Sequence, residues 1–195
     1  MQKPNSYNEV STGGYIPPQV GGHKCVIKQV TETKNSKGKD MIVVVFDFAP
    51  DDVQPEFFSK EFKDDVRPDK KWPHIGTAYI NTEDQDGKCS KRFKRFVTSF
   101  EKSNNCDAIW GEKFAGQFKN KKIGAVFGQK ENEYNGKVTM RNELRYFCDI
   151  DKVEGAAVPD PIYLEKKSVQ GGTVSGSNDG FMSIPDGVED SIPWG

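Results

Sequence analysis

Met41-Ile42-Val43-Val44-Val45-Phe46-Asp47-Phe48 is the strongest strand signal in the chain. Four β-branched residues run consecutively, and both parities are apolar up to Phe46. That pattern predicts a central strand covered on both faces. Upstream, His23–Thr31 alternates, with Cys25, Ile27 and Val30 among polar neighbours, and reads as a partner strand. The link between them, Lys34-Asn35-Ser36-Lys37-Gly38-Lys39-Asp40, is rich in Asn, Ser and Gly and predicts a turn. Together these segments form a long hairpin with Lys34, Lys37 and Lys39 at its tip.

Downstream, Ala49–Pro55 breaks the pattern. Phe57–Phe62 is expected to be a third strand. Lys63–His74 is irregular and charged, with Trp72 between prolines 68 and 73, and Ile75–Ile80 reads as another short strand. Cys89–Lys102 is the one helix expected. Cys89, Phe93, Phe96, Val97 and Phe100 share one face, with Lys91, Arg95 and Lys102 opposite. Asn104-Asn105 ends it. Lys121–Gln129 and Val138–Asp151 are then two strands joined by the hairpin turn Tyr134-Asn135-Gly136. The expected fold is therefore mainly β, with the element order of the oligonucleotide/oligosaccharide-binding (OB) fold. That fold is a five-stranded Greek-key barrel with one α-helix between strands 3 and 4.

Composition divides the 195 residues into three parts: an N-terminal extension (1–21), the barrel domain (22–165) and a tail (166–195). From Ser168 onward the chain holds four of the 29 acids and none of the 28 bases, which leaves residues 1–167 with a net charge of +3. Ser168–Asn178 is a Gly/Ser/Thr/Val/Gln run too polar to offset ordering entropy, so the tail is expected to be disordered. No apolar run approaches the ~18 residues of a membrane span. The first fourteen residues lack the apolar core of a signal peptide. The expectation is an intracellular protein without membrane contact. Cys25, Cys89, Cys106 and Cys148 are widely spaced, and with His23 and His74 they make no zinc pattern. Reduced thiols packing as small apolar groups are expected, with no metal or cofactor.

The chain closes on Glu189-Asp190-Ser191-Ile192-Pro193-Trp194-Gly195. This end resembles the acidic Ile-Pro-Phe tip of bacterial and phage single-stranded DNA-binding proteins. It differs in Trp for Phe, in the interrupting Ser and in the added Gly. Residues 16–159 are similar to phage and prophage single-stranded DNA-binding proteins. That similarity is carried by Ser36-Lys37-Gly38-Lys39, Phe46-Asp47-Phe48, Lys94-Arg95-Phe96, Gly124-Ala125-Val126-Phe127-Gly128 and Tyr134-Asn135-Gly136. The resemblance implies a non-enzymatic binder of single-stranded DNA in replication, recombination or repair, in the host cytoplasm if phage-encoded. Replication or recombination proteins would be its partners through Asp186, Glu189, Asp190, Ile192, Pro193 and Trp194. A homo-oligomer is among the assemblies it allows.

Non-specific strand binding needs cations for phosphates and exposed rings for bases. Three clusters supply them: Lys34, Lys37 and Lys39; then Lys60, Phe62, Lys63 and Trp72; then Lys130, Tyr134, Lys137, Arg141 and Arg145. All three are expected on the strand 2–3 face and on the loops joining strands 1–2 and 4–5, which bind oligonucleotides in such barrels. The plainer alternative is solvated turns and a core Phe62. Asp51-Asp52 and the helix face Lys91, Arg95 and Lys102 read as solvated. Two further functions compete. Asp51, Glu61 and Lys63 imitate the Mg²⁺ site of a nuclease, and the same barrel can serve as a protein-only interaction module.

Overall fold

The computed structural model describes residues 16–164. Five strands make one antiparallel sheet: β1 (Gly21–Lys34), β2 (Asp40–Phe48), β3 (Thr77–Asn81), β4 (Lys122–Tyr134) and β5 (Lys137–Cys148). Helix α1 (Phe57–Asp64) joins β2 to β3, and α2 (Lys91–Asn104) joins β3 to β4. The spatial order is β3-β2-β1-β4-β5. After a three-strand meander the chain crosses by way of α2 to the far edge of β1, which is a Greek-key path.

β1 is shared between two halves of the sheet. Gly21–Val26 pair with β4, and Cys25–Lys34 pair with β2. Ile27 faces Phe46 and Gln29 faces Val45, so Lys28 is the extra residue of a bulge. Such a bulge bends its strand, here where β1 changes partner. It also shifts the inward parity from Cys25 and Ile27 to Val30, all three of them buried. In β2 the even positions Ile42, Val44 and Phe46 are buried, while Met41, Val43 and Val45 are only half covered. The apolar run thus reflects one core face and one partly open face, not two buried ones.

The sheet curls tightly. Phe46 of β2 and Phe147 of β5 lie three strand spacings apart, about 14 Å across a flat sheet, yet their ring centroids are 5.5 Å apart. Phenylalanine fills the interior: Phe46, Phe48, Phe58, Phe96, Phe100, Phe118 and Phe127 are fully buried.

Three expectations are corrected. The barrel is not closed, because β3 and β5 share no ladder. β3 has only five residues, and β5 is bent by a bulge at Arg145, where Val126 faces Tyr146 but Phe127 faces Leu144. That bulge turns both Leu144 and Phe147 toward the core. Second, Phe57–Phe62 is helix rather than strand, so the described residues hold two α-helices and the third strand is Thr77–Asn81. α1 lacks a cap of its own, since Glu56 has φ 52° and no capping side chain. Asp47 of β2 does that work. Its Oδ1 accepts from Phe58 N (2.9 Å) and Phe48 N (2.9 Å), and Oδ2 accepts from the Ser59 hydroxyl. Third, α2 begins after Ser90, whose Oγ accepts from Phe93 N, so Cys89 lies outside the helix and is exposed. The buried face of α2 is otherwise as expected: Phe93, Phe96, Val97 and Phe100. Asn105 ends it at φ 49°, and Asn104 bonds both ways with the backbone of Lys122.

All four cysteines are free thiols, and only Cys25 is fully buried. Among the described residues no helix is long and apolar enough to cross a membrane.

Candidate functional site

The first hairpin turns on Asn35, whose Oδ1 accepts from the backbone N–H groups of Lys37 and Lys39. Lys34 is paired with Asp40 at 2.7 Å, and Lys39 Nζ donates to the carbonyls of Asp84 and Gln85. Of the three lysines at this tip, only the Lys37 ammonium makes no bond among the described residues.

Lys60, Phe62 and Lys63 lie on α1, not on a strand face. Lys60 Nζ donates to the Pro55 carbonyl at 2.7 Å. Trp72 packs against the core, its ring 5.8 Å from that of Phe62 and its Nε1–H donated to the Gly76 carbonyl (3.1 Å). The indole is thus built into the fold along one edge. Nearby, Arg67 holds the Asp65 carboxyl down to about 2 through its hydrogen bonds.

The last hairpin closes as expected. Tyr134 pairs with Lys137 around Asn135 and Gly136, whose φ values of 51° and 73° suit the two-residue turn that Asn-Gly favours. Tyr134 is 71% exposed. Lys130 pairs with Glu143 at 3.5 Å. Arg145 donates to the carbonyls of Gln129 (3.3 Å) and Asp160 (3.0 Å), which ties down the segment that lays Ile162 beside β4. Lys63, Lys137 and Arg141 make no ion pair or side-chain hydrogen bond among the described residues.

A cavity lies where the barrel fails to close. Between β3 and β5 lies an opening of about 920 Å³, bordered by Glu61 of α1, His74, Tyr79, Arg92 of α2, and Met140 and Arg141 of β5. Tyr79 is half exposed, and the His74 ring lies 5.9 Å away, inclined by 30°. Register puts Thr31, Val43 and Tyr79 in one outward row across β1, β2 and β3. Burial pushes the Glu61 carboxyl up. At one end the opening is bounded by Pro17, where Asn142 Nδ2 donates to the Pro18 carbonyl at 2.8 Å. Comparison with protein-family models and with curated proteins finds no match to this chain.

Of the expected site residues, Arg141 borders this opening, while Lys34, Lys37 and Lys39 belong to the first hairpin. The tail residues Asp186, Glu189, Asp190, Ile192, Pro193 and Trp194 lie outside the described residues. Asp51 sits in the turn after β2, and Glu61 and Lys63 are on α1; among the described residues no three His, Cys, Asp or Glu side chains converge to hold a metal ion. Its neighbour Asp52, expected to be solvated, is instead buried against His23 at 2.9 Å. Tyr79, His74 and Arg92 are not among the binding residues that the sequence predicts. Tyr79 had a signal: Ala78 and Ile80 alternate inward in the short strand, which leaves Tyr79 outward. Arg92 had none, because only the seating of α2 against the unclosed edges brings it to the opening.

Proposed function

We propose that this protein binds single-stranded DNA without strong sequence preference and takes part in replication, recombination or repair. The curled sheet, its Greek-key order and the position of α2 support an OB-type architecture whose β3–β5 seam stands open. The observation that carries the reading is the opening itself. An exposed Tyr79 lies beside His74 there, with the guanidinium groups of Arg92 and Arg141 at the border. Rings take unpaired bases and cations take phosphates, neither of which depends on sequence. Lys37, Lys63, Lys137 and exposed Tyr134 extend the same chemistry onto the two hairpins and α1. The acidic tip Asp186–Trp194 would recruit replication or recombination proteins, its apolar end filling a pocket and its acids meeting bases around it.

An electrophoretic shift with single- and double-stranded DNA at two salt concentrations tests this. The expected result is preference for the single strand and a steep loss of binding with salt. Equal affinity for duplex, or binding indifferent to salt, would overturn it. Repeating the incubation with Mg²⁺ and then with EDTA separates it from the nuclease reading, since a binder leaves the DNA intact in both.

A further inference from the structure

The β3–β5 opening does not end at Arg92. A small cavity of about 170 Å³ follows, bordered by Ile80 of β3, by Arg92 and Arg95 of α2, and by Leu144 and Tyr146 of β5. A third, of about 850 Å³, runs on between α2 and β5 past Lys94, Arg95, Tyr146 and Lys152. Arg92 and Leu144 border the first two, and Arg95 and Tyr146 border the last two, so the three make one furrow. Its α2 wall carries Lys91, Arg92, Lys94 and Arg95, all exposed and none in an ion pair among the described residues. No acid stands in the first turn of α2, although acids there would favour the helix dipole. The acids along the furrow are Asp149, paired with Lys152 at 3.1 Å, Glu143, paired with Lys130, and Glu61. Arg95 lies over the half-buried Tyr146 ring, its Cζ 4.8 Å from the centroid.

We propose that the bound strand continues from the β3–β5 opening along α2, with phosphates on Lys91, Lys94 and Arg95 and a base against Tyr146. The inference rests on the single-stranded DNA reading and adds to it a second half of the track, over a helix face that composition alone marks as merely solvated. Charge selects a polyanion, and the tyrosine at each end, Tyr79 and Tyr146, selects unpaired bases over a duplex, whose bases are already stacked.

The test uses the full chain and fluorescent oligo-dT of about 6 and about 20 nucleotides, one near the lower end of the ~4–16 nucleotides that one OB fold covers and one beyond its upper end. Affinity is measured over a salt series for the wild type, Lys94→Glu, Arg95→Ala and Lys102→Glu. Lys102 is on the same helix but does not border the furrow, so Lys102→Glu controls for net charge. On the long oligonucleotide, Lys94→Glu and Arg95→Ala should each lower the log–log salt slope by about 0.7, one phosphate contact on a single strand. The short oligonucleotide, held in the opening, should bind them as it binds the wild type. Unchanged slopes on the long oligonucleotide, or an equal effect of Lys102→Glu, would overturn the α2 track while leaving the proposed function standing. Absence of any salt-dependent strand binding by the wild type would remove both. Variants that bind DNA normally but lose polyglutamate would assign this face to an acidic protein partner and overturn the proposal.

Discussion

Asp47 Oδ1 on β2 accepts the amide hydrogen of Phe58 at 2.9 Å, so the first turn of α1 is capped from a strand eleven residues earlier. The carboxylate is fully buried, and its remaining contacts are Phe48 N, Ser59 and, at 3.7 Å, the Lys28 ammonium at the β1 bulge. Truncation to Ala would strand several buried donors and free the helix from the sheet. Asp47→Ala is expected to cost roughly 3–5 kcal/mol, because each buried donor left unsatisfied costs about 1–3 kcal/mol. Asp47→Asn, which keeps one acceptor oxygen, should cost less. Urea unfolding measures both; a loss under about 1 kcal/mol for the Ala variant would show that α1 does not depend on this cap.

A second buried contact fixes the start of the domain. His23 stacks on Phe48 with ring centroids 4.0 Å apart, its Nδ1 2.9 Å from Asp52 Oδ1 and its Nε2 3.0 Å from the Gln19 carbonyl. Burial pushes the Asp52 carboxyl up, but hydrogen bonds from His23 and from the backbone of Gln54 and Lys24 outweigh it, and the net shift is downward. A carboxyl held below its unfolded value binds fewer protons when folded. Its contribution is therefore complete above the ordinary value near 3.9 and is lost as pH falls through the folded value. The expected outcome is that stability declines below about pH 4 in the wild type and more shallowly in Asp52→Asn. Unfolding curves at neutral and acid pH compare the two, and parallel declines would remove Asp52 as the source.

Which parts of this arrangement could be read from the chain follows from the range of the forces involved. Local signals were sufficient for β1, β2, β4, β5 and the buried face of α2, where hydrophobic period and Asn135-Gly136 act within a few residues. α1 was misread because its cap comes from Asp47, and nothing near Phe57 announces it. The unclosed seam was also hidden, since the bulge at Arg145 shifts parity inside an otherwise regular strand. For the candidate site, residue type alone does not tell which cations are bonded within the fold. Lys34, Lys39, Lys60 and Arg145 have the right charge but are bonded to groups of the protein itself, and only tertiary structure separates them from Arg141 and Lys137.

Gly76 tests whether Trp72 is structural. A Cβ at position 76 would lie 2.6 Å from Trp72 Nε1 and 2.8 Å from Phe58 Cγ. Both are closer than carbon atoms tolerate, and Phe58 is fully buried and unable to yield. Gly76→Ala should destabilise by about 1–3 kcal/mol, the usual cost of overpacking, and raise Trp72 exposure, read as a red shift in tryptophan emission. A variant as stable as the wild type with unshifted emission would contradict the packing of this indole.

Tyr79 separates stacking from packing. Its ring is half exposed on the outer face of β3, so removing it should change stability by no more than about 0.5 kcal/mol. Against oligo-dT, Tyr79→Ala is expected to lose about 1–3 kcal/mol, the value of one stacked base, while Tyr79→Phe keeps the ring and stays near the wild type. Equal losses in both variants would point to the hydroxyl and argue against stacking.

Arg141 and Arg145 stand four residues apart on β5 and should behave as opposites. Arg141 is exposed beside the opening and unpaired among the described residues, so Arg141→Ala should leave stability within about 0.5 kcal/mol. It should also reduce the single-strand salt slope by about 0.7, one phosphate contact. Arg145 is the bulge residue, and its guanidinium holds the carbonyls of Gln129 and Asp160. Arg145→Ala should instead cost about 1–3 kcal/mol of stability, the range for charge-assisted hydrogen bonds, and loosen the pairing of Ile162 with β4. Hydrogen exchange at the Glu131 and Ile162 amides reports that loosening directly, since each amide is bonded across this pairing. If Arg145→Ala kept full stability and slow exchange while lowering the salt slope as much as Arg141→Ala, the division between the tethered and the free arginine would be wrong, and both would belong to the binding surface.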